Sequence, residues 1–223
     1  MTAPRGRGRP SRPAVTREGL AAAALEITRA AGYEKLTMSR VAAHLGVAPS
    51  ALYNHVSGKA DLLVLLQDAV MGEVSVVELQ AAASGGVDVG EAVRAWARSY
   101  RAVFADHTPL IPVISTLPVE GAEKTVRMYD ALAAALTAAG VPQDRIMARV
   151  IALEAFLFGA AYDVHAPAEI FSLERTDEDL PALRTATEAF RERLDASGRP
   201  PSEANPYADD PFELGLLLLT ADL

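Results

Sequence analysis

From Thr37 to Lys59 the chain reads TMSRVAAHLGVAPSALYNHVSGK, and this stretch limits the possible folds more than any other. Met38, Val41, Ala42 and Leu45 recur at helical spacing, Gly46 supplies a stop, and Pro49 opens a second pattern whose Leu52 and Val56 repeat at i, i+4. Two helices joined this closely form a helix-turn-helix. In that motif the first helix crosses the nucleic-acid backbone and the N-terminal part of the second enters a major groove. The second helix is predicted to expose Ser50, Ala51, Tyr53, Asn54 and His55.

A net charge of −8 opposes a polyanionic partner if it is evenly spread, and it is not. Residues 1–60 hold nine Lys/Arg against three acids, a balance of +6, which leaves −14 for residues 61–223. A basic head on an acidic body approaches nucleic acid in one orientation, because the field draws the head in and turns the body away. The 223 residues are enough for a sizeable core. The lack of cysteine removes disulfides, thiolate zinc sites and cysteine nucleophiles, and makes a cytoplasmic location the simplest expectation. There is no apolar run of about 18 residues and no apolar segment behind the N-terminal arginines, so neither a membrane span nor a signal peptide is expected.

Residues 1–13, with four arginines and three prolines, cannot bury enough apolar surface to fold alone and read as a flexible basic arm. Such an arm suits either a narrow minor groove or non-specific phosphate contact. The head is expected over 14–60. Thr16 caps a first helix with Leu20, Ala24, Ile27 and Ala31 on one face and Gly32 as its stop, and Thr37 caps the next. The body is expected over 61–223. It begins with an apolar helix from Lys59 to about Leu79, followed by a break at Ser84-Gly85-Gly86. Further helices are predicted over Val89 to Ala105, Glu120 to Ala139, Gln143 to about His165 and Asp177 to Ala196, with a leucine-rich terminal helix after Phe212. No period-two pattern is sustained, so the fold class is all-α: a three-helix head on a helical-bundle body.

The arm, the segment AAGYEKLTM, then Val41-Ala42-Ala43-His44-Leu45-Gly46-Val47 and Leu52-Tyr53-Asn54-His55-Val56-Ser57-Gly58-Lys59-Ala60-Asp61-Leu62-Leu63, together resemble the TetR family of bacterial transcriptional regulators. The resemblance covers the first third of the chain. It implies a homodimer that binds a double-stranded operator, most often a repressor released by a small-molecule effector. It places Tyr53, His55 and Lys59 on a family pattern in which Tyr and Lys touch phosphates, and Pro49, Ser50, Ala51 and Asn54 at positions that vary with the operator. Thr37, Ser39 and Arg40 on the first helix complete the expected DNA-contacting set. Where members often have Ser or Thr before the third helix, this chain has Ala48-Pro49, which removes a hydroxyl cap but keeps a residue pre-organised for a helix start. The body resembles the tetracycline-repressor-like type more loosely, through Tyr100-Arg101, His107 and the long apolar helix.

Asn54 is able to read adenine and Ser50 either kind of base, or each contacts phosphate only. His55 reads more readily as a packed, hydrogen-bonded histidine than as a base reader. In the body Trp96, Tyr100, Phe104, His107, Tyr129, Phe156 and Tyr162 are candidates for a pocket between helices, with ordinary core as the alternative for each. Glu154 stands alone in an apolar stretch and must find a partner or face a cavity. No metal site and no cofactor are expected. His44, His55, His107 and His165 have no motif neighbours and no phosphate loop or nucleophile elbow is present, which argues against an enzyme. The remaining rival is a helical ligand sensor or protein-interaction module without DNA binding, which the +6 head and the intact Tyr53 and Lys59 oppose.

Overall fold

A computed structural model describes residues 15–167, 170–173, 178–196, 205 and 207–223; the basic arm lies outside them. The described chain is all-α. Its helices are α1 (Arg17–Ala31), α2 (Met38–His44), α3 (Pro49–Leu52), α4 (Lys59–Met71), α5 (Val77–Ala83), α6 (Val89–Ala105), α7 (Ile111–Ile114), α8 (Glu123–Ala138), α9 (Gln143–Asp163), α10 (Pro181–Ala196) and α11 (Asp209–Leu219). Short 3-10 turns cover Tyr33–Lys35 and Thr108–Leu110. The chain forms two compact units that part after Ala69, within α4.

In the first unit Leu20, Leu36, Val41, Leu52 and Val56 are buried with Ile27, while the predicted core residue Leu45 is only half-buried. Thr16 Oγ1 accepts the Gly19 amide at 3.0 Å and Thr37 Oγ1 accepts the Arg40 amide at 3.2 Å, so both helix starts satisfy an otherwise orphaned donor. The end of α2 is a Schellman motif: Val47 N donates to Ala42 O at 3.0 Å and Gly46 N to Ala43 O at 3.2 Å, with Gly46 at φ 67°. A Cβ at Gly46 meets no atom within 4 Å, so only the left-handed backbone penalises a side chain there. Gly46→Ala is therefore expected to cost about 1–2 kcal/mol. A denaturant melt reads this as a lower midpoint with an unchanged m-value; an unchanged midpoint would contradict the motif's role.

The second unit is a bundle in which α5 packs on α6 and α8, α9 packs on α6 and α8, and α11 lies across α6 and α9. Asp88 caps α6 by accepting the Glu91 amide at 2.9 Å. The expected helix from Lys59 to Leu79 is two helices. α4 ends at Met71, Gly72 and Glu73 turn, and Ser75 N donates to Ser99 Oγ at 2.9 Å instead of continuing the ladder. Glycine's low helix propensity allows the break, and apolar residues on both sides of it hide it from periodicity. The helix predicted from Asp177 begins at Pro181, and Asp177 lies outside the described residues.

α11 crosses α9 closely. Phe212 stacks on Phe156 with centroids 5.8 Å apart, and a Cβ on Gly215 would come within 2.6 Å of the Phe156 ring, so glycine is what permits this approach. Side-chain clasps hold α11 down: Arg98 to Glu213 through two bonds of 2.8 and 2.7 Å, Arg101 to Asp209 at 2.8 Å, and Arg149 to Asp222 just beyond the helix. Hydrogen bonding from Arg98 holds the Glu213 carboxyl below its ordinary range, and Arg149 does the same for Asp222. A lowered native value stabilises above the unfolded carboxylate range and is lost as the pH falls through the native one. The thermal midpoint should thus drop between about pH 5 and about pH 3, modestly because these pairs are partly exposed and screened. Arg98→Ala should flatten that drop in a pH series of melts, and an equally steep drop would remove this pair from the cause.

Candidate nucleic-acid interface and effector site

In the head, most of the predicted DNA-contacting residues are exposed. Pro49, Ser50, Tyr53 (56% exposed), Asn54 and Lys59 are exposed, as are Thr37, Ser39 and Arg40 on α2, while Ala51 and His55 are half-buried. α3 is a single turn, shorter than the sequence suggests. Ser50 and Ala51 lie on it, whereas Tyr53, Asn54 and His55 form the turn that follows, with His55 N donating to Leu52 O at 2.9 Å. Ser57 and Gly58 then bend the chain into α4. Leu52 and Val56 anchor this segment beneath the face. Arg17 donates to the His55 carbonyl at 3.1 Å and ties α1 to the same segment.

At the start of α4 the Asp61 carboxylate accepts both the amide (2.8 Å) and the hydroxyl (2.6 Å) of Ser57. The hydroxyl bond is the larger cause, and the amide bond the next, of an Asp61 carboxyl held below its ordinary range. This reach-back fixes the helix entry as the second half of a capping box does. Lys59 is the first residue of α4, and its Nζ lies 4.8 Å from the centre of the Tyr33 ring. The ammonium is thus held at a helix N-terminus, where backbone N–H groups also favour an anion. Thr37 spends one oxygen lone pair on its cap yet keeps its hydroxyl proton.

In the body the structure brings five of the eight pocket candidates together. Trp96, Tyr100 and Phe104 form a column on α6, with centroids 5.4 and 4.7 Å apart, and all are buried. Tyr100 and Tyr129 both donate to Glu154 Oε1, at 2.7 and 2.5 Å. Burial first, and then the Glu154 charge, pushes both phenols up, so they remain protonated donors. His107 is buried, its Nε2 3.8 Å from a Glu73 carboxylate oxygen. Phe156 and Tyr162 do not join this group. Phe156 packs on Phe212, and Tyr162 is 45% exposed. Phe158, which sequence reasoning passed over, does join, with its ring 5.7 Å from Tyr100 and 5.0 Å from Phe104.

Two cavities lie elsewhere in the body. One of about 530 Å³ is walled by Phe171, Leu183, Phe190 and Tyr207. Another of about 760 Å³ lies among Arg98, Arg101, Phe212 and Glu213. Neither is lined by any of the eight candidates. Among the described residues no group of three His, Cys, Asp or Glu is placed to hold a metal ion, and no helix is long and apolar enough to cross a membrane.

Comparison with known proteins agrees with this anatomy. Residues 20–66 match the family model for bacterial regulatory proteins of the tetR family, and residues 84–222 match that for the tetracyclin repressor-like C-terminal domain. The HTH-type transcriptional repressor DrrR1 of Streptomyces coeruleorubidus is 31% identical over 161 residues, covering 69% of this chain and 56% of its own length. An HTH-type transcriptional regulator of Saccharopolyspora erythraea is 30% identical over 150 residues, covering 67% and 61%. The aligned regions thus span less than two thirds of these relatives. Apo ActR of Streptomyces coelicolor superposes with a TM-score of 0.67 at 22% identity, covering 93% of this chain and 94% of that one. The regulator SCO7222 from the same organism gives 0.66 at 25% identity, covering 93% and 96%. With family models matched across both its head and its body, the chain belongs to the TetR family of bacterial transcriptional regulators.

Proposed function

We propose that this regulator is a homodimeric repressor that binds a pseudo-palindromic operator and is released by a small-molecule effector bound in its body. The observation that carries the reading is the exposed polar face of α3 and the turn after it, set on a buried Leu52–Val56 anchor and flanked by Lys59 at a helix N-terminus. Base contacts fall to Ser50 and Asn54. Phosphate contacts fall to Thr37, Ser39, Arg40, Tyr53, His55 and Lys59, with Pro49 and Ala51 packing against the groove.

Dimerisation is supported by large apolar side chains left in water. α9 exposes Met147 (59%) and Ile151 (61%), with Ala155 and Tyr162 continuing the stripe. α11, held beside it through Phe156 and Gly215, exposes Leu214, Leu217 and Leu218. Ala148, Ala152 and Gly159 along the same side let a second α9 approach closely. A two-fold pair joined there presents two heads to successive half-sites, about 34–36 Å apart.

Effector release is supported by the likeness to ActR, whose structures include complexes with (S)-DNPA and with actinorhodin. The coupling is reciprocal: an effector that weakens operator binding by about 1–3 kcal/mol must itself be bound more weakly on DNA by the same amount. Fluorescence polarisation against the DNA upstream of the protein's own coding region tests the reading. Binding that weakens steeply with salt and saturates at one dimer per palindrome is expected, and absence of salt-dependent binding would sink it.

A further inference from the structure

Glu154 is a carboxylate with no cationic partner among the described residues. Among the described residues its only partners are the phenols of Tyr100 and Tyr129, both on Oε1, and no Lys, Arg or His lies within ion-pair distance. Among the described residues nothing donates to Oε2, and it is not one of the buried side-chain atoms left without a partner, so it is not sealed from solvent. One turn further along α9, Phe158 lies on the same face; Glu154, Phe158 and Tyr129 are the half-buried members of an aromatic cluster whose other members are buried. That face is turned toward α6 and α8, whereas the exposed apolar stripe of α9 runs through Met147, Ile151 and Ala155. A second orphan lies in the same cluster: Trp96 is 1% exposed, and among the described residues its indole N–H has no acceptor.

A half-buried carboxylate beside aromatic side chains is the complement of an organic cation, since the carboxylate takes the charge and a ring face offered to the cation attracts it further. The acidic body, −14 over residues 61–223, raises the local concentration of such cations. The unpaired indole N–H asks for an acceptor in return. We infer that the effector is a flat aromatic cation carrying a hydrogen-bond acceptor, its protonated nitrogen on Glu154 Oε2 and its ring system against Tyr129 and Phe158, within reach of the Trp96 indole. This rests on the body being the effector-binding part, and it names the effector's chemistry.

Trp96 is the protein's one tryptophan, so its emission reports on this cluster. Titration of the full-length protein without DNA, at neutral pH, would compare 9-aminoacridine, a planar cation, with acridone, its neutral ring analogue. The cation should quench Trp96 and bind at least about tenfold more tightly than acridone, as expected for a charge-assisted contact in a partly desolvated site. Glu154→Gln should erase that preference, with unchanged helical content and sedimentation. Tyr129→Phe, which keeps the carboxylate, should retain the preference for the cation while weakening both ligands. Equal binding of the two compounds, no binding of either, or a Glu154→Gln change seen only in dimerisation would each overturn the inference. Because these titrations contain no DNA, salt-dependent operator binding tests the repressor reading separately and can succeed where the cation fails.

Discussion

The double variant Ile151→Glu, Leu218→Glu is expected to sediment as a monomer and to bind operator about 10²–10⁴-fold more weakly than the parent, because a dimer gains that factor from linking two heads. Both side chains are already exposed in the single chain, at 61% and 70%, so the substitutions remove no buried core contact and the fold should survive. In a two-fold dimer each position occurs twice, and covering an apolar side chain of this size is worth roughly 1.5–3 kcal/mol. Loss of four such side chains, with carboxylates left facing carboxylates across the axis, takes at least about 6 kcal/mol from association. Circular dichroism should stay as in the parent while light scattering reports half the mass. A variant that remains dimeric would place the interface elsewhere on the body and leave the exposed stripe of α9 unexplained.

That surface was legible in the sequence only in outline. An almost uninterrupted apolar helix and a leucine-rich terminal one had to be covered, but the clasps that fix which side of α11 is left over join residues far apart in sequence. Arg98 meets Glu213, and Arg149 meets Asp222, pairings that no local pattern announces. The head was read more fully because its determinants are local. Thr16, Gly32, Thr37 and Gly46 are caps and stops whose chemistry acts locally; in the structure the two threonines open α1 and α2 and the two glycines close them. The aromatic cluster around Glu154 lies between these cases. Glu154 stood out for being alone, and the phenols that answer it lie 54 and 25 residues away. Phe156 is two residues on, turned roughly 200° around the helix and therefore toward Phe212, whereas Phe158 at i+4 shares the Glu154 face. Helical spacing alone separates these two phenylalanines. Gly72 shows the opposite limit, since an apolar run reads the same whether one helix or two pass through it.

Lys59→Ala and Asn54→Ala should fail in different ways, and the difference is the sharper test of the interface. Lys59 is exposed, carries its charge at the N-terminus of α4 and is braced by the Tyr33 ring. Its removal should cost one phosphate contact per subunit of the proposed dimer, whatever the bases are. Operator and random DNA should both be bound about 10- to 100-fold more weakly, and the slope of log K against log salt should become shallower by roughly 0.9 for each lost contact, close to 2 for a dimer. Asn54 is also exposed but uncharged, so Asn54→Ala should leave the salt slope where it was. It should instead reduce discrimination at one base pair of each half-site by about 1–3 kcal/mol, read as an operator affinity that falls toward that of a single-base variant. If Lys59→Ala changed sequence preference and left the salt slope alone, the lysine would be reading bases and the docking of the head would have to be turned about α3. If Asn54→Ala weakened all sequences equally, the asparagine would be a backbone contact, and Ser50 would be left to carry base recognition for the half-site.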